Sequence, residues 1–317
     1  MSNHFVLLEN ILQALVTSVL IGGVYGLLCV GLGLIFSIMR VINFAQGEFM
    51  MLGMYAALFA FTTFGLGAFL GTWSGIVVSA LLGGVALYLL AAALHPLLLA
   101  RVTGARVSGT EGDGHYPQLI LTLGISLVMA NGGLLLFGST PRNVQTALSS
   151  SAWTFELGNM LLFLNQARTL SLVVSLVVVA AVIFFITRTR TGIRLRAASD
   201  NPVAASYMGI DVNRAHRNAF AVGAGVTGIA GGLLATSYPF QPYVGGEFIV
   251  IMYTGVVLGG MGSIKGAFWG GLLIGLIQQL AALFLPLQLQ STAVFVVFLL
   301  TLLLRPQGLF GRSTDRA

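Results

Sequence analysis

Nine apolar runs divide the chain, at 11–38, 44–64, 74–99, 118–138, 168–187, 216–236, 248–262, 267–285 and 290–304, separated by polar or glycine-rich breaks. Several approach the ~20 residues that a helix needs to cross the hydrocarbon of a bilayer. None alternates polar and apolar positions with period two, as a barrel strand would, and a backbone in lipid must satisfy its own hydrogen bonds. The pattern predicts an all-α polytopic membrane protein, a bundle of about 8–10 transmembrane helices, read as a single domain over 1–317.

Composition agrees. With 57% apolar and 8% charged residues and a mean hydropathy of +0.95, too few polar side chains remain to cover a water-soluble surface. The first ten residues lack Lys and Arg, and the run after them is too long for the apolar core of a signal peptide, so no cleaved leader is expected. One cysteine, Cys29, offers neither a disulfide nor a metal cluster.

The charged residues orient the bundle, because Lys and Arg collect in short cytoplasmic loops. Arg188, Arg190, Arg194, Arg196, Arg214 and Arg217 place one loop inside, as Arg305, Arg312 and Arg316 place the carboxyl tail. Arg40, Arg101 and Arg106 agree. The connection over 139–167 balances Arg142 against Glu156 and goes outside. Alternation then puts the amino terminus outside, unless the first run is two half-helices. Orientation accounts for the excess of Arg, so no nucleic-acid partner is expected despite a pI near 9.9.

The loop over 188–216 must be aqueous, since each charge at mid-bilayer costs ~2.5–3.5 kcal/mol. Within it, Asp200 or Asn201 can cap a helix whose first turn takes Pro202, and Gly209 supplies a left-handed stop, predicting a helix over 202–208. Val203, Tyr207 and Ile210 share one face. So short a helix needs a surface to pack on, either the lipid interface or a cytoplasmic partner.

Three further polar features fall within or beside apolar runs. Asn43, Gln46 and Glu48 stand where two runs join. Glu48 can cap the next helix, where its charge suits the dipole, or face a substrate path, with Arg40 a nearby partner. Gly259, Gly260 and Ser263 interrupt a run that has only 11 residues from Phe248 to Leu258, short of a full crossing. The segment near 259–266 is therefore either a re-entrant turn beside a path or a cytoplasmic hairpin tip marked by Lys265. Thr122, Ser126 and Asn131 can line a path or join helices.

Other matches dissolve on inspection. Gly223-Ala224-Gly225-Val226-Thr227-Gly228 spells GxGxxG, but no strand precedes it. The pairs Gly228 and Gly232, Gly255 and Gly259, Gly266 and Gly270, and Gly271 and Gly275 instead read as small residues that let membrane helices approach closely. Lys265, the one lysine, follows Ile264, so no phosphate-binding loop exists. His4, His95, His115 and His216 form no ligand spacing, and HExxH and GxSxG are absent, so no metal, cofactor or catalytic centre is expected.

Several motifs carry a family resemblance. Thr191-Gly192-Ile193-Arg194-Leu195-Arg196-Ala197, followed by Asp200-Asn201, Ala204-Ala205 and Gly209-Ile210, resembles the cytoplasmic EAA-type loop of ABC importer permeases, whose short helix enters a cleft on the ATPase subunit. Val41-Ile42-Asn43-Phe44-Ala45-Gln46-Gly47-Glu48 resembles a signature of the LivH-type permease subunits of branched-chain amino acid importers, with Gln46 where many relatives have His. Val257-Leu258-Gly259-Gly260-Met261-Gly262-Ser263-Ile264 with Gly266, and Arg305-Pro306-Gln307-Gly308-Leu309-Phe310-Gly311, are similar to two further elements of that family.

The resemblance implies half of a translocation pathway in a bacterial inner membrane. Its implied partners are a second homologous permease, two cytoplasmic ATP-binding subunits that hold the ATPase activity, and a periplasmic or surface substrate-binding protein. Branched-chain amino acids are the implied cargo, with urea, short amides or aromatic acids as the alternative. A stand-alone channel or secondary transporter is the alternative of another class, and a membrane-embedded enzyme is a third.

Overall fold

A computed structural model describes residues 2–100, 116–157, 160–305 and 307–311. Arg101, Arg106, His115, Pro306, Arg312 and Arg316 lie outside the described residues. Among the described residues, nine longer helices correspond to the nine apolar runs: α1 (Ser2–Met39), α2 (Gln46–Thr62), α4 (Thr72–Leu94), α5 (Tyr116–Phe137), α7 (Gln166–Arg188), α10 (Val212–Leu234), α11 (Val244–Gly259), α12 (Ile264–Phe284) and α13 (Leu287–Leu304). Short helices α3 (Leu66–Leu70), α6 (Ala147–Ser150), α8 (Arg190–Asp200) and α9 (Pro202–Tyr207) fill the connections, and a π turn over His95–Leu99 extends α4. Among the described residues, five helices are long and apolar enough to cross a membrane outright, and the chain is a multi-pass membrane protein.

The first run is one unbroken helix rather than two halves. Its far end meets the arginine-rich loop, where the Ser199 hydroxyl donates to the Ser37 carbonyl at 2.6 Å. Its beginning meets a hairpin, β1 (Ala152–Leu157) and β2 (Met160–Asn165), paired antiparallel with Trp153 opposite Leu164. Glu9 and Gln13 bind the edge of β2: Leu161 N–H donates to Glu9 at 3.2 Å and Phe163 N–H to Gln13 at 2.9 Å. These bonds satisfy backbone groups that an edge strand otherwise leaves open. The amino-terminal end of α1 and the arginine-rich loop thus lie at opposite ends of the bundle.

α1 is the central column, packed against α7, α10, α11 and α12. Leu27, Leu28, Cys29, Leu34 and Ile35 are fully enclosed. Close approach of α1 and α12 depends on glycine: a Cβ on Gly271 would lie 2.6 Å from the Gly26 Cα, and one on Gly275 would lie 2.5 Å from the Gly22 Cα. Lipid supplies no hydrophobic drive between helices, so such backbone contact is the main source of attraction. α5 stands at the rim and exposes Ile120, Leu127, Val128, Leu135 and Leu136.

Candidate functional site

Two places bring polar residues together, one inside the bundle and one at its arginine-rich end. The inner one begins where α1 stops. Arg40 takes a positive φ of 52°, the one non-glycine residue to do so among the described residues, and reverses the chain. Residues 40–45 then run back into the bundle, and α2 starts at Gln46 beside Gly223 and Thr227 of α10. Those residues are 11 and 15 positions into α10, about 16–22 Å from its start at 1.5 Å per residue. α2 is therefore a discontinuous membrane helix whose amino end lies at depth.

Polar side chains compensate the irregular backbone. Gln46, with no exposed surface, donates through Nε2 to Thr227 Oγ1 at 2.5 Å and to the Gly223 carbonyl at 3.3 Å. It accepts at Oε1 from Asn43 Nδ2 at 3.0 Å, while Asn43 Oδ1 accepts from the Ala45 N–H at 3.1 Å. From α5, Thr122 Oγ1 accepts the Phe44 N–H at 3.3 Å. Every backbone group so engaged escapes the cost of being buried unpaired.

Glu48 lies in the first turn of α2 and is 96% enclosed, as its relative exposure of 4% indicates. Ser126 of α5 donates to its Oε1 at 3.4 Å, and Oε2 meets no donor among the described residues. The carboxylate presses on Gly245 in the first turn of α11, where a Cβ would stand 2.6 Å from Oε1. A Cβ on Gly47 would likewise strike the Gly245 carbonyl. The amino ends of α2 and α11 therefore meet inside the bundle, and neither has a side-chain cap. Broken helices whose positive ends converge at depth are the usual scaffold for polar cargo within a membrane.

Sequence reasoning found Asn43, Gln46, Glu48 and Thr122, which the structure gathers here, but missed the partner turn on α11. A signal was present: Gly47-Glu48-Phe49 recurs as Gly246-Glu247-Phe248, each at the start of a discontinuous helix. Glu247 accepts a hydrogen bond from the Tyr238 hydroxyl at 3.2 Å. Burial and the Glu247 charge hold the Tyr238 phenol above its ordinary pKa, so it stays a donor. Asn131 is elsewhere, exposed on α5 with its amide donating to the Leu127 carbonyl at 2.8 Å.

Gly259, Gly260 and Ser263 do not join this cluster. They form the tight α11–α12 turn, with Gly260 at φ 99° and Ser263 Oγ accepting from the Gly266 N–H at 3.1 Å. Gly259 is 14 residues along α11 from Gly245, about 21 Å away. The carboxyl segment covers the turn: Leu309 N–H donates to the Leu258 carbonyl at 2.8 Å and Phe310 N–H to that of Gly259 at 3.3 Å.

At the arginine-rich end, Thr189 caps α8 by accepting from the Gly192 N–H at 3.1 Å. Gly192 packs so closely on the end of α7 that a Cβ would meet the Ile186 Cα at 2.5 Å. Leu195 and Ala198 bury the inner face of α8, while Arg194 and Arg196 face outward, Arg196 donating to the Thr187 carbonyl at 3.3 Å. Asn201, rather than the exposed Asp200, caps α9, accepting from the Ala204 N–H at 2.9 Å.

α9 ends in a Schellman turn: Ile210 N–H donates to the Ala205 carbonyl and Gly209 N–H to that of Ser206, both at 3.0 Å, with Gly209 at φ 77°. Ala205 faces inward, but Val203, Tyr207 and Met208 are 59%, 85% and 82% exposed. A two-turn helix this open presents its apolar face to something beyond the chain.

Comparison with known proteins follows the same lines. A high-affinity branched-chain amino acid transport system permease protein, BraD of Pseudomonas aeruginosa, is 30% identical over 95% of this chain and 96% of its own length. The corresponding protein LivH of Escherichia coli is 27% identical over 95% of this chain and 96% of its own length. A probable branched-chain amino acid transport permease protein LivH of Methanocaldococcus jannaschii is 29% identical over 90% of this chain and 88% of its own length. No solved structure matches the chain significantly. Residues 14–304 match the family described as "Branched-chain amino acid transport system / permease component", and the chain belongs to that family of transport permeases.

Proposed function

We propose that this chain forms half of the translocation pathway of an ATP-driven importer of branched-chain amino acids in a bacterial inner membrane. A second homologous permease supplies the other half, two cytoplasmic ATP-binding subunits perform the hydrolysis, and an external binding protein delivers the cargo. The observation that carries this reading is α9, a capped helix with three large apolar side chains exposed at the arginine-rich end. A lipid-resting helix would place basic residues on its outward face, whereas α9 has none and its arginines precede and follow it.

Force applied to α9 has a defined route. Asn201 joins α9 to α8 without a spacer, and α8 is tied to α1 by the Ser199 hydrogen bond and to α7 through the Gly192 contact. α1 in turn holds α12 along the glycine seam. Closure of the ATP-bound partners would shift this rigid group and open or close the junction where α2 and α11 meet, a two-state change biased by differential contacts.

The test is site-directed crosslinking. Tyr207→Cys in the assembled complex is expected to crosslink to an ATP-binding subunit, with a yield that changes when ATP is added. Crosslinking to lipid probes alone, with no ATP-binding subunit recovered, would overturn the proposal.

A further inference from the structure

The first turn of α11 has two sides. Gly245 receives the Glu48 carboxylate, and Glu247 opens into a cavity of about 230 Å³ between α1, α11, α12 and α13. Glu247 is the one charged group among the ten residues lining this cavity. The ion pair between Arg214 and Asp211 is the only one among the described residues, so Glu247 meets no basic side chain. Gln278 also lines the cavity, and its Oε1 is buried without a donor.

We propose that this cavity binds the ammonium group of an aliphatic α-amino acid within the permease itself, an inference that rests on the transport function proposed above. Glu247 supplies the counter-charge and Gln278 Oε1 accepts an ammonium hydrogen. Gln278 Oε1 lacks the donor that burial demands, the exposed Glu247 accepts from Tyr238 at Oε2 only, and a primary ammonium has three hydrogens to share between Gln278 and Glu247 Oε1. Tyr238, donating to Glu247 Oε2 at 3.2 Å, fixes the carboxylate. Most of the remaining wall is apolar, with Phe248 and Phe295 placed to receive an alkyl side chain. At about 30 Å³ per water-sized group the cavity holds roughly eight, the scale of leucine. An acid without the ammonium would bring a second carboxylate toward Glu247 and be repelled.

Binding of radiolabelled L-leucine to the purified permease–ATPase complex in nanodiscs, without the external binding protein, tests the site. Saturable binding displaced by isopentylamine but not by 4-methylpentanoate is expected. Glu247→Gln should weaken it about two- to fivefold, as loss of a solvent-exposed charge partner does; Glu247→Asp, which keeps the charge, should fall between. Absence of wild-type binding, displacement by the acid alone, or unchanged affinity in Glu247→Gln would overturn the site. ATP-driven leucine accumulation by the complete importer is measured in parallel. Intact accumulation without binding defeats this inference alone, whereas failure of wild-type accumulation defeats the functional reading beneath it.

Discussion

Gln46→Leu keeps the volume of an enclosed side chain while removing three hydrogen bonds, to Thr227, Gly223 and Asn43. The Thr227 hydroxyl can turn to a carbonyl of its own helix, whereas Asn43 Nδ2 loses the Gln46 Oε1 acceptor it bonds at 3.0 Å. Leaving that donor buried costs about 1–3 kcal/mol, and the two bonds to α10 add about 0.6 kcal/mol each. The sum is roughly 2–4 kcal/mol. Gln46→His is the informative contrast, because a neutral imidazole offers one donor for Thr227 and one acceptor for Asn43, and most of the loss should be recovered. Thermal unfolding of the detergent-purified complex, followed by size exclusion, should rank wild type and His close together, with Leu several degrees lower. If Leu melts with wild type, or His falls below Leu, the hydrogen-bonded junction is not what holds α2 at depth.

Glu48→Gln should raise thermal stability, by removing a buried charge that has no basic partner, while lowering uptake; unchanged uptake would show that the carboxylate has no part in the path. Gly209→Val should be strained at φ 77° by about 1–2 kcal/mol and leave ATP hydrolysis running with uptake reduced, so parallel ATPase and uptake assays returning wild-type values would refute it. Gly192→Val should push α8 off the end of α7 and uncouple in the same way, and a wild-type ratio of uptake to hydrolysis would count against the route from α9 to α1.

The spans were legible because lipid imposes apolar length, and each of the nine runs became a helix. The α9 caps were legible because the preferences are local: the Asn201 side chain can accept from the first turn, and Gly209, lacking a Cβ, adopts a positive φ freely. Depth was not legible. Nothing local distinguishes Gln46 at the bundle interior from a cytoplasmic turn, since its partners Gly223 and Thr227 are some 180 residues away. The start of α11 was hidden similarly, because Gly245 acquires meaning only opposite Glu48. The hairpin escaped because Glu9 and Gln13, which complete its edge, lie about 150 positions earlier. Gly259 and Gly260 were correctly seen as a break, but whether that break faces a path depends on the carboxyl segment that covers it.

ATP-dependent accumulation of radiolabelled leucine in proteoliposomes tests the central claim most directly. The complete assembly, with both permeases, the ATP-binding subunits and the binding protein supplied on the appropriate side, should concentrate leucine only when ATP is hydrolysed, and Tyr207→Asp should abolish the accumulation while the permease still inserts. Equilibration of leucine by this chain alone, without ATP or partner subunits, would contradict the account.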